Sequence, residues 1–183
     1  MYKIGDKFDL KEAEKNILSK KEENGYDDQY FKKEDIEWVI FDIDEEKGEM
    51  LLISAEPTEQ ELTLQGKEGW ENHKKVLDKL CKEITGIENA RSLDYMDIYH
   101  SKYWEDTKKR DLIFKSTPYW LASPCVNAYF DDSDADFSVR YVNSTIVNAY
   151  YMFNSNDGSN YRACAVRPVV SVSLKSNIHD SQE

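Results

Sequence analysis

The sequence predicts an α+β domain, and three patterns carry that assignment: an apolar hairpin over residues 36–54, one long amphipathic helix beginning at Gly66, and a C-terminal third of short β-like runs divided by polar loops. A hairpin, then helices, then a run of strands is the order expected when helices pack to one side of antiparallel sheet rather than alternating with parallel strands.

Taken in order, Asp9 and Glu12 read as a capping box, with Leu10, Ala13, Ile17 and Leu18 on one face of a short helix over residues 11–24 that Gly25 ends. The charge run Lys20 to Glu23 reads as the solvated side of that helix. IEWVIFDI (residues 36–43) is apolar on both faces of a strand, residues 44–48 hold turn chemistry, and EMLLIS (residues 49–54) returns. In the next helix, residues 66–84, Trp70, His73, Leu77, Leu80 and Ile84 repeat at three-four spacing, Val76 and Cys81 widen the stripe, and Gly86 stops it. A lone His on such a stripe is expected to be packed and hydrogen-bonded rather than a ligand, and Cys81 to act as a small buried hydrophobe. Ser92 is expected to cap a second short helix over residues 90–98, and residues 99–115 to form an irregular connection. Residues 117 onward supply TPYWLASPC, FSVRYV, IVNAYYMF and AVRPVVSVSL, with Pro168 suggesting an edge or bulge in the last run.

Composition narrows the function. The chain has 183 residues, enough for one sizeable domain (residues 1–183), with residues 1–35 as an N-terminal strand and helix extension. Its net charge of −12 opposes a phosphate backbone, so nucleic acid is not an expected partner. No apolar run is long enough for membrane insertion, and MYKIGDKFDL has no signal-peptide character, so synthesis in the cytoplasm is expected, with later virion association or surface display left open. Cys81, Cys125 and Cys164 match neither a disulfide framework nor a zinc site; pairing of Cys125 with Cys164 stays open. No nucleophile is matched with a base, and His100 and His179 lie in polar segments, so no catalytic residue, metal or cofactor is expected and the protein is not expected to be an enzyme.

Residues 116–174 stand apart. This run of 59 residues contains no Lys, Glu or Gln, whereas residues 1–115 contain 18, 17 and 3 of them. Strands disfavour these residue types, but the loops here are polar through Asn, Asp and Ser instead. Codons ending in a pyrimidine cannot encode Lys, Glu, Gln, Trp or Met; from Cys125 to Leu174 only Met152 departs from that restriction. The same alphabet, with Tyr, builds antibody binding loops: rigid aromatic area plus adaptable hydrogen bonds. The acidic string Asp131 to Asp136 invites calcium but lacks the Gly and distal Glu of an EF-hand loop, and is read as a solvated loop. In IVNAYYMF, alternation sets Asn148 and Tyr150 on one face, read as outward, and Ala149, Tyr151 and Phe153 on the other.

Four segments in sequence order carry a resemblance: EW-x-IFDI with MLLIS and the following Pro-Thr; the helix ending in Leu80-Cys81; ARSLDYMDI; and YWLASP, FSVRYV and AVRPVVSVSL. Together they resemble the C-type-lectin-like variable proteins of diversity-generating retroelements, a type common in gut bacteriophages and related to the formylglycine-generating-enzyme fold. The resemblance runs from about Ile36 to Lys175, with IGDKF also similar. It implies a C-type-lectin-like fold: a twisted antiparallel sheet with two flanking helices, first and last strands paired, and a long looped C-terminal half presenting a ligand surface. It also implies that residues 116–174 form a variable region and that the protein is a phage- or prophage-encoded adhesin. The expected partner is a protein or glycan receptor on a cell surface, with a homo-oligomer or virion attachment possible. A virion decoration protein, a carbohydrate-binding module and, remotely, a formylglycine-generating-type oxidoreductase are the alternatives. The ligand-binding residues expected are Asn127, Tyr129, Asp132, Asn143, Asn148, Tyr150, Asn154, Asn156, Asn160 and Arg162, on one contiguous solvent-facing patch. IEWVIFDI and AVRPVVSVSL are expected to be neighbouring antiparallel strands, and Arg167 to be buried and held by carbonyls or a counter-charge.

Overall fold

The computed structural model describes residues 2–10, 31–128, 135–154 and 159–174; the helix expected over residues 11–24 lies outside them. The chain is α+β, with antiparallel sheets and three α-helices among the described residues. Strands β1 (Lys7–Phe8), β2 (Trp38–Asp44) and β3 (Glu49–Ser54) are followed by β4 (Leu62–Gln65), helix α1 (Gly66–Thr85) and β5 (Arg91–Ser92). Helix α2 (Tyr95–His100), a 3-10 turn at Tyr103–Glu105 and helix α3 (Thr107–Ile113) precede β6 (Tyr119–Ala128), β7 (Ala135–Val142), β8 (Val147–Asn154), β9 (Tyr161–Cys164) and β10 (Pro168–Ser173).

The hairpin and the long helix form where the sequence places them. Gly48 turns β2 into β3 at φ 67°, and Gly86 ends α1 in the left-handed conformation at φ 70°, its N–H returning to the Lys82 carbonyl. WVIF is apolar at every position because the sheet is covered on both faces. Trp38 and Ile40 face α1 with Leu52 and Val170; Val39 and Phe41 face Ile98 and Ile113 with Ile53 and Val169. The five strands run in the order β1-β2-β3-β10-β5. This corrects two expectations. β3 lies between IEWVIFDI and AVRPVVSVSL, so they share a sheet without being neighbours, and β1 does not pair with β10. Strand β10 instead has a partner on each side, Val169 pairing with both Ile53 and Arg91. Pro168 sits at its first residue, where its missing N–H interrupts no ladder bond to β5 or β3 beyond the strand end.

Three local expectations also change. Ser92 is a strand residue; the cap of α2 is Asp94, whose carboxylate accepts from the Asp97 N–H while the Asp97 carboxylate accepts from the Asp94 N–H. Residues 99–115 are not irregular: Asp106 caps α3 by accepting from the Lys108 and Lys109 N–H groups, and Ile113 anchors that helix in the core. The C-terminal half is strand-rich rather than long-looped, since β6, β7 and β8 form a three-stranded antiparallel sheet and β9 pairs with β4.

Sheet β6-β7-β8 lies against α1 through Trp70, whose indole N–H donates to the Ser138 carbonyl at 3.1 Å and whose ring meets Phe137 and Phe153 edge-on. Trp120 is fully buried, donates to the Leu62 carbonyl at 2.9 Å, and so fastens β6 to β4. Thr58, in the Pro-Thr after β3, acts as a substitute ladder partner: its N–H donates to the Val166 carbonyl and its hydroxyl accepts from the Val166 N–H.

His73 is buried, with its Nδ1–H donating to the Trp70 carbonyl, as the apolar stripe predicts. Burial pushes its pKa below the ordinary 6.5. The unfolded chain therefore takes up a proton first as pH falls through about 6.5, so stability is lost from there down to the folded-state pKa. Urea midpoints above and below that pH, compared with those of His73→Gln, are expected to differ by this contribution; an identical pH profile for the variant would contradict it.

Candidate ligand-binding surface

Seven of the ten expected ligand residues are described; Tyr129, Asp132 and Asn156 lie outside the described residues. Asn127, Asn148 and Asn160 are exposed, and Asn143, Tyr150, Asn154 and Arg162 are half-buried. The region that holds them is not surface throughout. Tyr119 to Ala122, Val139, Val142 and 164–170 are buried framework.

Strand register divides the seven. On β7, Phe137, Val139 and Tyr141 face α1, while Asp136, Ser138 and Arg140 face away. Asn148 pairs with Tyr141 and Tyr150 with Val139, so both lie on the α1 side. Asn127 and Asn154 both pair with Asp136 and lie on the other side. The single contiguous patch is thus corrected to two faces of one sheet. A register shift between Phe137 and Ser138 also moves Phe153 to the face of Tyr150, where it stacks on Phe137 at 4.6 Å with rings 4° from parallel. Simple alternation had set Phe153 opposite, and one bulged residue reverses it. Asn143 serves the β7–β8 turn, its carboxamide oxygen accepting from the Thr145 and Ile146 N–H groups at 3.2 Å each.

The residues that do meet are Tyr141, Tyr150 and Arg162. The Arg162 guanidinium carbon lies 4.6 Å from the Tyr141 ring centroid and 4.8 Å from that of Tyr150. Arg162 reaches this position because β9 pairs with β4 through Leu64, and because the Asn160 N–H donates to the Met152 carbonyl and draws β9 toward β8. Tyr141 is backed by Trp120, edge-on at 6.3 Å. Tyr161, the next residue, is 70% exposed. Sequence reasoning did not find Tyr141 as a partner, because its role depends on two separate sheets coming together.

On the opposite face, Arg140 lies 4.9 Å over the Tyr95 ring, next to the exposed aromatics Tyr99 and Trp104. No expectation covered this aromatic group, although Tyr95 and Tyr99 at helical spacing were a visible signal.

Among the described residues no group of three or more His, Cys, Asp or Glu is arranged to hold a metal ion, and no helix is long and apolar enough to cross a membrane. The three cysteines are free thiols; burial raises the pKa of Cys81 and Cys164, which suits packed hydrophobes rather than nucleophiles. Residues 131–134 of the acidic string, and His179, lie outside the described residues. Comparison of the chain with protein families, with characterised proteins and with solved structures finds no match.

Proposed function

We propose that this protein is a ligand-recognition domain built on a C-type-lectin-like scaffold, encoded by a phage or prophage and working as an adhesin for a cell-surface receptor. The observation that carries the reading is a coincidence. The stretch without Lys, Glu or Gln is also the stretch whose strands β6 to β9 expose Asn, Tyr and Arg side chains over a buried framework. An alphabet of rigid aromatic and short amide side chains suits recognition of changing partners better than it suits catalysis, which needs a matched acid, base or nucleophile.

Support for the scaffold comes from its division of labour. One sheet gathers strands from both ends of the chain, and a separate three-stranded antiparallel sheet, packed on α1, carries the skewed alphabet. The split over two faces favours the α1-side group of Asn148, Tyr150 and Arg162 as the recognition centre, with the exposed Asn160 and Tyr161 next to Arg162 in sequence.

The test is a library randomised at Asn148, Tyr150, Asn160, Tyr161 and Arg162, panned against arrays of glycans and surface proteins. Binders to different targets should emerge while most members keep a parental urea midpoint, since partly exposed substitutions usually cost under about 1 kcal/mol each. A library that is broadly unfolded, or that yields no target-specific binder, counts against the reading. The encoding locus gives a second check: a near-repeat of the codons for residues 125–162, differing only at adenines and lying beside a reverse-transcriptase gene, is expected.

A further inference from the structure

We propose that Tyr99 and Trp104, with Tyr95 beside them, form a second binding site for a neutral oligosaccharide, on the sheet face away from α1. The site draws on residues 95–104, outside the stretch that carries the recognition reading, so the two stand or fall apart. The first observation is a row of rings in the open. Of the eight large hydrophobic side chains exposed among the described residues, four fall within ten positions: Tyr95, Met96, Tyr99 and Trp104. Tyr95 stacks on Tyr99 with centroids 6.5 Å apart, and Tyr99 meets Trp104 at 5.7 Å. Single exposed rings are ordinary on a protein surface, whereas a contiguous exposed group marks an interaction site.

The second observation is that the row is held in place. Trp104 packs edge-on against Tyr103 at 5.4 Å and Tyr103 against Phe114 at 5.8 Å, while buried Ile98 roots α2 in the core. Arg91 forks onto both oxygens of Asp97 at 2.6 and 2.8 Å and fixes the helical turn that carries Tyr95 and Tyr99. Trp104 comes back to Tyr99 through Lys102, the one non-glycine residue with positive φ among the described residues, at 52°. The strained turn thus serves the placing of a ring that is left exposed.

The third observation selects the ligand. The three rings are exposed by 36, 51 and 49%. At about 150–250 Å² for a whole aromatic side chain they offer roughly 200–350 Å², well below the about 800 Å² that a stable protein partner or second copy needs. Arg140 already lies over Tyr95 at 4.9 Å and Lys102 adjoins the row in the chain, which opposes a cation, and the net charge of −12 opposes a polyanion. What remains is a neutral molecule with an apolar face and a polar edge. A pyranose with equatorial hydroxyls has that form: its face carries C–H groups made partly positive by the neighbouring oxygens, which the negative ring faces attract. Its rim hydroxyls can meet the phenol hydroxyls and the indole N–H at the ring edges. Adjoining rings tilted by 52°, Tyr99 and Trp104, suit successive units of one chain.

The experiment is an NMR titration of the full chain at constant ionic strength, following the Trp104 indole N–H and the Tyr99 ring protons. The probes are cellotetraose, tetramethylammonium as a cation, and N-acetyl-leucine amide as an apolar peptide side chain. Cellotetraose is expected to give saturable shifts at both residues in the millimolar range, and the other two probes none. Tyr99→Ala and Trp104→Ala are each expected to weaken cellotetraose binding by about threefold to tenfold, the range of one lost aromatic contact. Both should keep the parental urea midpoint, because the side chains they remove are exposed. Arg162→Gln, in the α1-side group, should leave cellotetraose binding unchanged. No saturable shift in the parent chain overturns the proposal without any variant needing to fold, and so does a shift that survives Trp104→Ala. An equal or tighter response to tetramethylammonium or to the leucine probe overturns the sugar assignment in favour of a cation or an apolar peptide. Trp104 shifts that follow protein concentration alone make the row a contact between copies and overturn it as well. Each of these failures leaves the library test intact.

Discussion

Arg167→Ala is expected to destabilise the protein by about 3–5 kcal/mol, the cost of leaving several buried carbonyls without their donors at about 1–3 kcal/mol each. Arg167 is fully buried, between β9 and β10, and no carboxylate meets it among the described residues. Its charge is met by carbonyl oxygens: Nε and Nη2 donate to Ser54 at 2.9 and 2.8 Å, Nη2 to Ala55 at 3.0 Å, and Nη1 to Leu112 at 2.6 Å. Its guanidinium carbon is 5.4 Å from the Tyr119 ring centroid. Burial pushes the Arg167 pKa down and that of Tyr119 up to about 12, so at neutral pH the pair is a cation beside a neutral phenol whose hydroxyl donates to the Ile113 carbonyl. One side chain thus joins the end of β3, the C-terminal end of α3 and the start of β10. Truncation strands three carbonyls in the interior as well as opening a cavity. Arg167→Lys should recover only part of the loss, since a single ammonium cannot reach all three carbonyls. Urea denaturation measures both; an unchanged midpoint together with lost ligand binding would reverse the assignment and make Arg167 a recognition residue.

Trp120→Ala is expected to cost a similar amount, about 3–5 kcal/mol, for a different reason. The indole is the largest fully buried side chain, and its removal leaves a cavity among α1, β4 and β6 together with an unpaired Leu62 carbonyl. At about 2–4 °C per kcal/mol for a domain of this size, the melting temperature should fall by roughly 10 °C. Trp120→Phe should recover most of the packing and none of the hydrogen bond. Because Trp120 meets the Tyr141 ring edge-on, the Phe variant should also shift the Tyr141 ring-proton resonances in an NMR spectrum. A melting point within 2 °C of the parent for Trp120→Ala would show that the core closes over the gap.

What the sequence made legible was whatever a short window encodes. The β2–β3 hairpin and α1 carry their own periodicity and glycine stops, and the buried, carbonyl-held state of Arg167 follows from one charge inside an apolar run of sequence. Residues 99–115 were misread because α3 is short and mostly polar outward; its signal was Asp106 as a cap followed by Ile113, easily hidden among aromatic residues. β4 was not assigned, although Leu62 and Leu64 alternate inward with Thr63 and Gln65 outward, because four residues give too little pattern. The candidate surface failed differently. Asn127, Asn148 and Asn154 were rightly read as polar positions, yet their faces depend on register, and a single bulge near Phe137 changes which side chains travel together. The Tyr141–Arg162–Tyr150 group depends on β4–β9 pairing, which brings distant segments together and leaves no local trace.

The position of β10 has a consequence for how the chain reaches this state. Val169 must find Ile53 across most of the sequence, and the same strand closes the five-stranded sheet on its other side with Arg91. On a ribosome, β2 and β3 can pair as soon as they emerge, but the frame is completed only after residues 168–173 are released. Everything from β4 to β9, apart from β5, which joins the sheet itself, is then, topologically, an insertion within that closure. The entropy of closing so long an insertion grows only with the logarithm of its length and does not depend on which side chains its surface carries. Folding should accordingly be slow, limited by this one distant pairing, and its rate nearly the same for chains differing at Asn148, Asn160 or Tyr161.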